Sequence, residues 1–329
     1  MSFPPPFTTS SVETPSTPSA TFPANVSAVL DHLGILRFAG EDAATFLQGQ
    51  LTCDVQSLTV NSSTYGAYCS PKGRMLATCL LWRDLAGEFA MALSRDILAS
   101  IQKRLSMFVL RSRVNVADIS SEHALLGTAG PAAAGALRRV LAEVPERAHE
   151  VRHGPGSAAI SLPDGRFILA CDDAGAPALR RRIAELLEPV ASSAWRWLDI
   201  CSGVPRVTAA TQDRLVPQMA NLELLGGVSF TKGCYTGQEI VARTQHLGKV
   251  KRRMFLANIA AAAAAGDDLY SEDLGDQASG LVVNAESSPA GGTDVLAAVQ
   301  IASREGSTVH LGSMTGPALR FRPLPYPVA

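Results

Sequence analysis

Residues 226–246 read Gly-Gly-Val-Ser-Phe-Thr-Lys-Gly-Cys-Tyr-Thr-Gly-Gln-Glu-Ile-Val-Ala-Arg-Thr-Gln-His, with a single thiol, Cys234, in their midst. A free cysteine ordinarily packs as a small hydrophobe, but the neighbours here point to chemistry. Lys232 lies two residues before the thiol and Arg243 nine after it. Gly233 and Gly237 bracket it and remove side-chain bulk. Thr236 and Glu239 have the Thr-x-x-Glu spacing of a capping box, which predicts a helix starting at Thr236. A thiol just outside a helix N-terminus feels the positive end of the helix dipole. Dipole and cations both favour thiolate, the form that attacks electrophiles and binds metals.

The elements that must position this thiol follow from pattern. A β run is expected over 29–38, then a helix opened by Glu41 and Asp42 that carries Phe46, Leu47 and Leu51. Strands over 64–69 and 74–83 are joined by Ser70-Pro71-Lys72-Gly73, a turn sequence. A strand over 88–93 and an amphipathic helix over 96–110 complete the first set. Residues 112–188 repeat the rhythm. Strands are expected over 114–119 and 123–128, an Ala-rich helix from Gly130 to Val144, a hairpin across Pro163-Asp164-Gly165 and a helix over 177–187. A helix over 195–202 stops at Gly203-Val204-Pro205. The cysteine helix should end near Gly248. From Lys249 onward short β runs with Gly, Pro and Asp breaks read as a small barrel. Helices with mainly antiparallel strands in this order give an α+β fold rather than a Rossmann sheet, and no glycine-rich phosphate loop follows a strand.

Composition narrows the function classes. The chain has 329 residues, enough for two or three compact units, and 47% of them are hydrophobic. Its 29 Lys and Arg against 30 Asp and Glu give a net charge of −1, which argues against coating nucleic acid by bulk charge. The six cysteines, Cys53, Cys69, Cys79, Cys171, Cys201 and Cys234, have no C-x-x-C pair and no zinc-ligand spacing. They read as reduced thiols of a cytoplasmic protein, with no permanent metal site and no four-cysteine cluster of their own. No apolar stretch is long enough to span a membrane. Residues 1–24, rich in Ser, Thr and Pro, read as a disordered tail without the marks of a signal or transit peptide. The basic run Lys249, Lys251, Arg252 and Arg253 reads as a solvated strand edge, with attraction of phosphate or of a folate polyglutamate tail as its functional alternative. Asp199, Asp213 and His246 form no recognisable triad, and no general acid/base pair stands out.

Lys232-Gly233-Cys234-Tyr235-Thr236-Gly237-Gln238-Glu239 with Arg243 resembles the signature of the YgfZ proteins, folate-binding, iron–sulfur-cluster-related relatives of the glycine-cleavage T-protein. The similarity extends through Val216-Pro217-Gln218, Asn221-Leu222 and Leu225-Gly226-Gly227. It also takes in the run from Phe46 to Thr52 with Asp54-Val55, the turn Pro71-Lys72-Gly73-Arg74, and the terminal Pro323-Leu324-Pro325-Tyr326. In order, these pieces span residues 25–329.

The resemblance implies two intertwined T-protein-like α+β units around a central cavity, plus a C-terminal β-barrel. On this chain the first unit takes residues 25–111 and 189–248, the second 112–188 and the barrel 249–329. It implies a folate such as tetrahydrofolate in the cavity. In the family a tryptophan before the Gly203-Val204-Pro205 turn lines that cavity; the register gives Trp195, not Trp197, and an indole offers a flat face to a pterin. Leu33 stands where family members can carry a second tryptophan. Cys201 stands where a glutamate commonly binds the pterin N–H edge. Both departures should weaken folate binding, since an unpaired donor costs about 1–3 kcal/mol.

The function so implied is an auxiliary one. The protein would maintain or repair iron–sulfur enzymes, including a tRNA methylthiotransferase, through Cys234 acting as a transient iron ligand or in redox exchange. Its partners would be cluster enzymes or the assembly machinery and a folate, with an indirect link to tRNA and none to membrane. An accessory role fits better than T-protein-like aminomethyl transfer, which needs a carboxylate near the folate; that transferase is the alternative. A plain tRNA-binding protein, disfavoured by the near-neutral charge, is a third.

Overall fold

Turn chemistry and apolar alternation divide the chain into three sheets. In the computed structural model, which describes residues 22–246, 248 and 250–328, the chain opens with β1 (Val26–Val29), β2 (Leu33–Ala39), α1 (Ala43–Gln48) and β3 (Ser63–Cys69). It continues through β4 (Met75–Arg83), β5 (Phe89–Ser94), α2 (Arg95–Val109) and β6 (Asn115–Asp118). Then come β7 (His123–Ala129), α3 (Ala133–Arg138), β8 (Val151–Gly154), β9 (Ser157–Ser161), β10 (Phe167–Asp172), α4 (Ala176–Ala184) and β11 (Glu188–Val190). Next is α5 (Ser192–Cys201). A long connection with a 3-10 turn at Pro217–Ala220 leads to α6 (Gln238–His246). The C-terminal part holds β12 (Arg252–Ile259), β13 (Asp268–Ser271), β14 (Gly280–Ser287), β15 (Thr293–Gln300), α7 (Ile301–Gly306), β16 (Val309–Leu311) and β17 (Leu319–Arg322).

The fold is α+β, and two of the sheets exchange strands. One has the order β3-β4-β5-β2-β6 and the other β11-β1-β7-β10-β9-β8. All pairs are antiparallel except β1 with β11, which run parallel. The unit boundaries read from sequence are therefore corrected. β1, assigned to the first unit, pairs with β7 in the second sheet, and β6, assigned to the second, pairs with β2 in the first. β4 and β5 are buried along almost their whole length on both faces, which is why they read as unbroken apolar runs. The third sheet, β16-β13-β14-β15-β12-β17, is antiparallel and curls into a half-barrel. Its two edge strands meet through a bridge between His310 and Ala318.

Several expected boundaries move. The 29–38 run is two strands, because Asp31 and His32 turn the chain between β1 and β2. The Ala-rich helix ends at Arg138, not Val144. Past it the chain tightens into turns that bury Leu141, and Pro145 disfavours helix in the residue before it. The expected tail over 1–24 falls mostly outside the described residues, but Phe22 lies within them and packs on Trp197 with ring centroids 4.6 Å apart. Arg252 and Arg253 open β12, where it pairs with β15 alone because β17 joins only from Leu256 onward; the solvated strand-edge reading fails for them through their side-chain partners, and Lys249 lies outside the described residues. Arg253 is buried against Glu223 and the Gln218 carbonyl, and Arg252 donates to the Ala278 carbonyl at 3.1 Å.

Two helices position the candidate site. α5 turns Trp195 and Asp199, one helical turn apart, toward the sheets. Its other side meets the half-barrel, where Arg196 pairs with Glu286 at 2.7 Å and Trp197 donates to Asp294 at 2.8 Å. α6 carries the end of the cysteine motif. Among the described residues no helix is long and apolar enough to cross a membrane.

Candidate functional site

The loop that presents Cys234 is held from below by its backbone and by Lys232. The Lys232 ammonium donates to the carbonyls of Gln48, Leu51 and Cys53 at 2.6, 2.7 and 2.8 Å. An ammonium has three donors, and here each meets an acceptor. The Gln48 carbonyl is one that the C-terminal end of α1 leaves without a helical partner. Burial lowers the Lys232 pKa to about 8, which still leaves it charged at neutral pH. Further up the chain, Thr52 Oγ1 donates to the Gly227 carbonyl at 2.6 Å, and Ser229 N donates to the Thr52 carbonyl at 2.9 Å. The Phe46–Val55 stretch is thus the cradle of the cysteine loop. Gln48 shapes that cradle by bonding Asp54 and the Val55 amide.

Two local expectations are corrected. α6 begins at Gln238, not Thr236. Gly237 takes φ +82°, outside the helical range, and the Gln238 amide bonds the Tyr235 carbonyl. Thr236 and Glu239 form no capping box among the described residues; Glu239 pairs with Arg243 at 3.0 Å instead. The glycine under constraint is Gly237, where an added Cβ would lie 2.4 Å from the Ser70 carbonyl oxygen. Gly233 meets nothing within 4 Å. With Lys232 committed to carbonyls and Arg243 to Glu239, no hydrogen bond reaches the Cys234 sulfur among the described residues. What distinguishes Cys234 is exposure. It is the exposed cysteine of six; Cys201 is half-buried and Cys53, Cys69, Cys79 and Cys171 are buried. Burial pushes the thiols of Cys53 and Cys69 up to about 12 and those of Cys171 and Cys201 up to about 11.

A second feature lies at α5. Leu33 and Trp195, from separate sheet and helix positions, line one slot together with Tyr65, Thr78, Asp199 and Arg206. Its free volume is about 70 Å³. Trp195 is 1% exposed. The Arg166 guanidinium carbon sits 4.4 Å from its ring centroid, and its six-membered ring packs on the bare Cα of Gly127. Arg166 is itself buried and bonds Asp164 at 2.6 Å and Asp199 at 2.8 Å, while Arg206 reaches the other Asp199 oxygen at 3.3 Å. Burial raises the Asp199 carboxyl above its usual range, against the pull of Arg166 and Arg206.

The structure therefore brings the nominated residues together in two places. Lys232, Gly233, Cys234, Tyr235, Thr236, Gly237, Gln238, Glu239 and Arg243 form the loop and α6; Trp195 and Leu33 form part of the slot. Cys234 is not among the residues lining the slot, and neither is Cys201. The carboxylate on the slot wall is Asp199, two residues before Cys201. Sequence reasoning weighed Asp199 only as part of a triad with Asp213 and His246, although its i+4 spacing from Trp195 marks it as facing the same way. Arg166 carried no local signal. Among the described residues no group of three or more His, Cys, Asp or Glu side chains is arranged to hold a metal ion.

Residues 26–154 match the family model for the GCVT N-terminal domain. The chain is 33% identical over 317 residues to the tRNA-modifying protein YgfZ of Sodalis glossinidius, covering 94% of this chain and 95% of that protein. The proteins of the same name from Hamiltonella defensa and Colwellia psychrerythraea are 36% and 33% identical over 73% and 78% of this chain, covering 71% and 79% of their own lengths. The glycine cleavage system aminomethyltransferase T of Bartonella henselae superposes with a TM-score of 0.76 at 19% identity, over 92% of this chain and 86% of its own. At that identity the likeness is one of fold.

Proposed function

Since this chain belongs to the family of the tRNA-modifying protein YgfZ, we propose that it is a cytoplasmic accessory protein that supports iron–sulfur enzymes, tRNA methylthiotransferase among them, through Cys234. The observation that carries this reading is the exposure of one thiol of six, on a loop whose backbone is fixed by Lys232 and Thr52. A single cysteine offers a cluster or an iron ion one sulfur ligand, so the client enzyme or an assembly protein supplies the others.

Folate enters this proposal at the slot, and the residues there fit a pterin in kind. The walls are apolar, with one indole and one carboxylate that can accept from the N–H edge. The fit in size is poor, since about 70 Å³ is free against the roughly 300 Å³ or more of pockets that bury a whole small molecule. Binding would therefore have to widen the slot, and tetrahydrofolate should bind weakly. When bound, a folate supplies a one-carbon carrier; Trp195 and Leu33 would hold its ring and Asp199 would orient it. Calorimetric titration with tetrahydrofolate should show this binding, and Trp195→Ala should weaken it by about 1–3 kcal/mol. Unchanged affinity would remove Trp195 from the site. Aminomethyl transfer is the lesser reading, because Asp199 is already held between two arginines.

The decisive experiment is complementation of a null strain. Cys234→Ala should melt near wild type yet fail to restore methylthiolated tRNA nucleosides. Full restoration by a stable Cys234→Ala protein would end the thiol's claim.

A further inference from the structure

Two sequence features have no part in that function: the turn Pro71-Lys72-Gly73-Arg74 and the basic run that follows Gly248. The structure brings the turn and one residue of that run, Lys251, to one groove beside α6. Its free volume is about 620 Å³, against about 70 Å³ for the slot. Lys72 and Arg74 from the β3–β4 turn, Arg243 from α6 and Lys251 from the approach to β12 line it, with Met219 and Ile240 among its apolar residues. All four cations are exposed. Among the described residues no Asp or Glu lines the groove, and neither Lys72 nor Lys251 has an ion-pair partner. Arg243 pairs with Glu239, but both side chains are more than half exposed, so that pair is weak and easily exchanged. The cations sit on a firm base. A Cβ added to Gly73 would lie 2.8 Å from Ile240 Cβ, so the turn is packed directly onto α6.

We propose that this groove docks the phosphate backbone of RNA. Phosphodiesters carry one negative charge per nucleotide, which suits cations from three separate segments, and the apolar side chains suit ribose and base faces. The chain's net charge of −1 leaves any such attraction to local basic patches, of which this groove is one. The curated relatives are named tRNA-modifying proteins. The turn also packs on Gly237, three residues after Cys234, so docked RNA would lie along the scaffold that presents the thiol. The role assigned to Cys234 does not require direct RNA contact, and the two ideas fail separately.

The test is fluorescence anisotropy of the full-length protein with a labelled, unmodified tRNA transcript between 50 and 200 mM KCl. Four phosphate contacts predict that log K falls against log [salt] with a slope of about −3. Lys72→Glu and Lys251→Glu, on different segments, should each weaken binding several-fold and together by at least about tenfold, with unchanged melting. Cys234→Ala should bind as wild type does. Absence of binding, a slope unaffected by either variant, or equally tight binding of a poly-glutamate peptide would overturn the proposal.

Discussion

At the slot, Arg166 and Arg206 answer a carboxylate, Asp199, inside the protein. At the cysteine loop, Lys232 answers three backbone carbonyls and no carboxylate. The first arrangement ties side chain to side chain and covers the indole that would face a ligand. The second fixes main chain and leaves the neighbouring side chain, Cys234, in solvent. The lesson is that a charge can close a site or open one, depending on whether it pairs with a group that could itself act. Among the described residues no hydrogen bond reaches the exposed Cys234 sulfur, while Lys232 and Thr52 fix the loop that carries it.

The comparison breaks most visibly at Asp199. Replacing it by alanine leaves Arg166, only 6% exposed at its side chain, with Asp164 alone and leaves Arg206 without this partner. Urea denaturation should show a loss of about 3 kcal/mol, the lower end for a broken buried pair, because the Asp199 side chain is 16% exposed. Lys232→Met comes next. It keeps the stem but removes the charge from three carbonyls, and roughly 1–3 kcal/mol should be lost; a loss under about 0.5 kcal/mol, the range of an ordinary surface change, would mean that water replaces the ammonium. The glycines give the smallest and sharpest contrast. Gly237→Ala should cost at least about 1–2 kcal/mol from positive φ alone, while Gly233→Ala should stay within about 0.5 kcal/mol. Equal effects at both positions would undo the assignment of Gly237 as the constrained glycine of the loop.

The long strands and amphipathic α2 were legible because their periods run for several residues. β8, β11 and β13 were not, since three or four residues show too little pattern and their pairing comes from the sheet. The C-terminal sheet was legible as a rhythm of short β runs, though not the single bridge that joins its edges. At the site, the cysteine and its motif stood out in sequence, and Trp195 and Leu33, named by the resemblance, line one slot. The capping-box spacing misled, because a glycine at positive φ delays the helix whatever side chains flank it. Lys232 was read as a neighbour of the thiol through its nearness in sequence. Its actual partners lie 179 to 184 residues away, and no local rule reports a contact of that range.

The placement of β1 also sets an order of events during synthesis. β1 is the first of the described strands to be made, yet Val26 pairs with Ala129 of β7 and with Glu188 of β11. At roughly 5–20 residues per second, the ribosome needs about 5–20 s to supply β7 and longer to supply β11. Over that interval the β2–β6 sheet can be completed while β1 waits without either neighbour. The nascent chain therefore carries β1 unpaired until residue 129 of 329 has been made, and a truncated transcript ending before β7 would release a product that can neither bury that strand nor build its second unit.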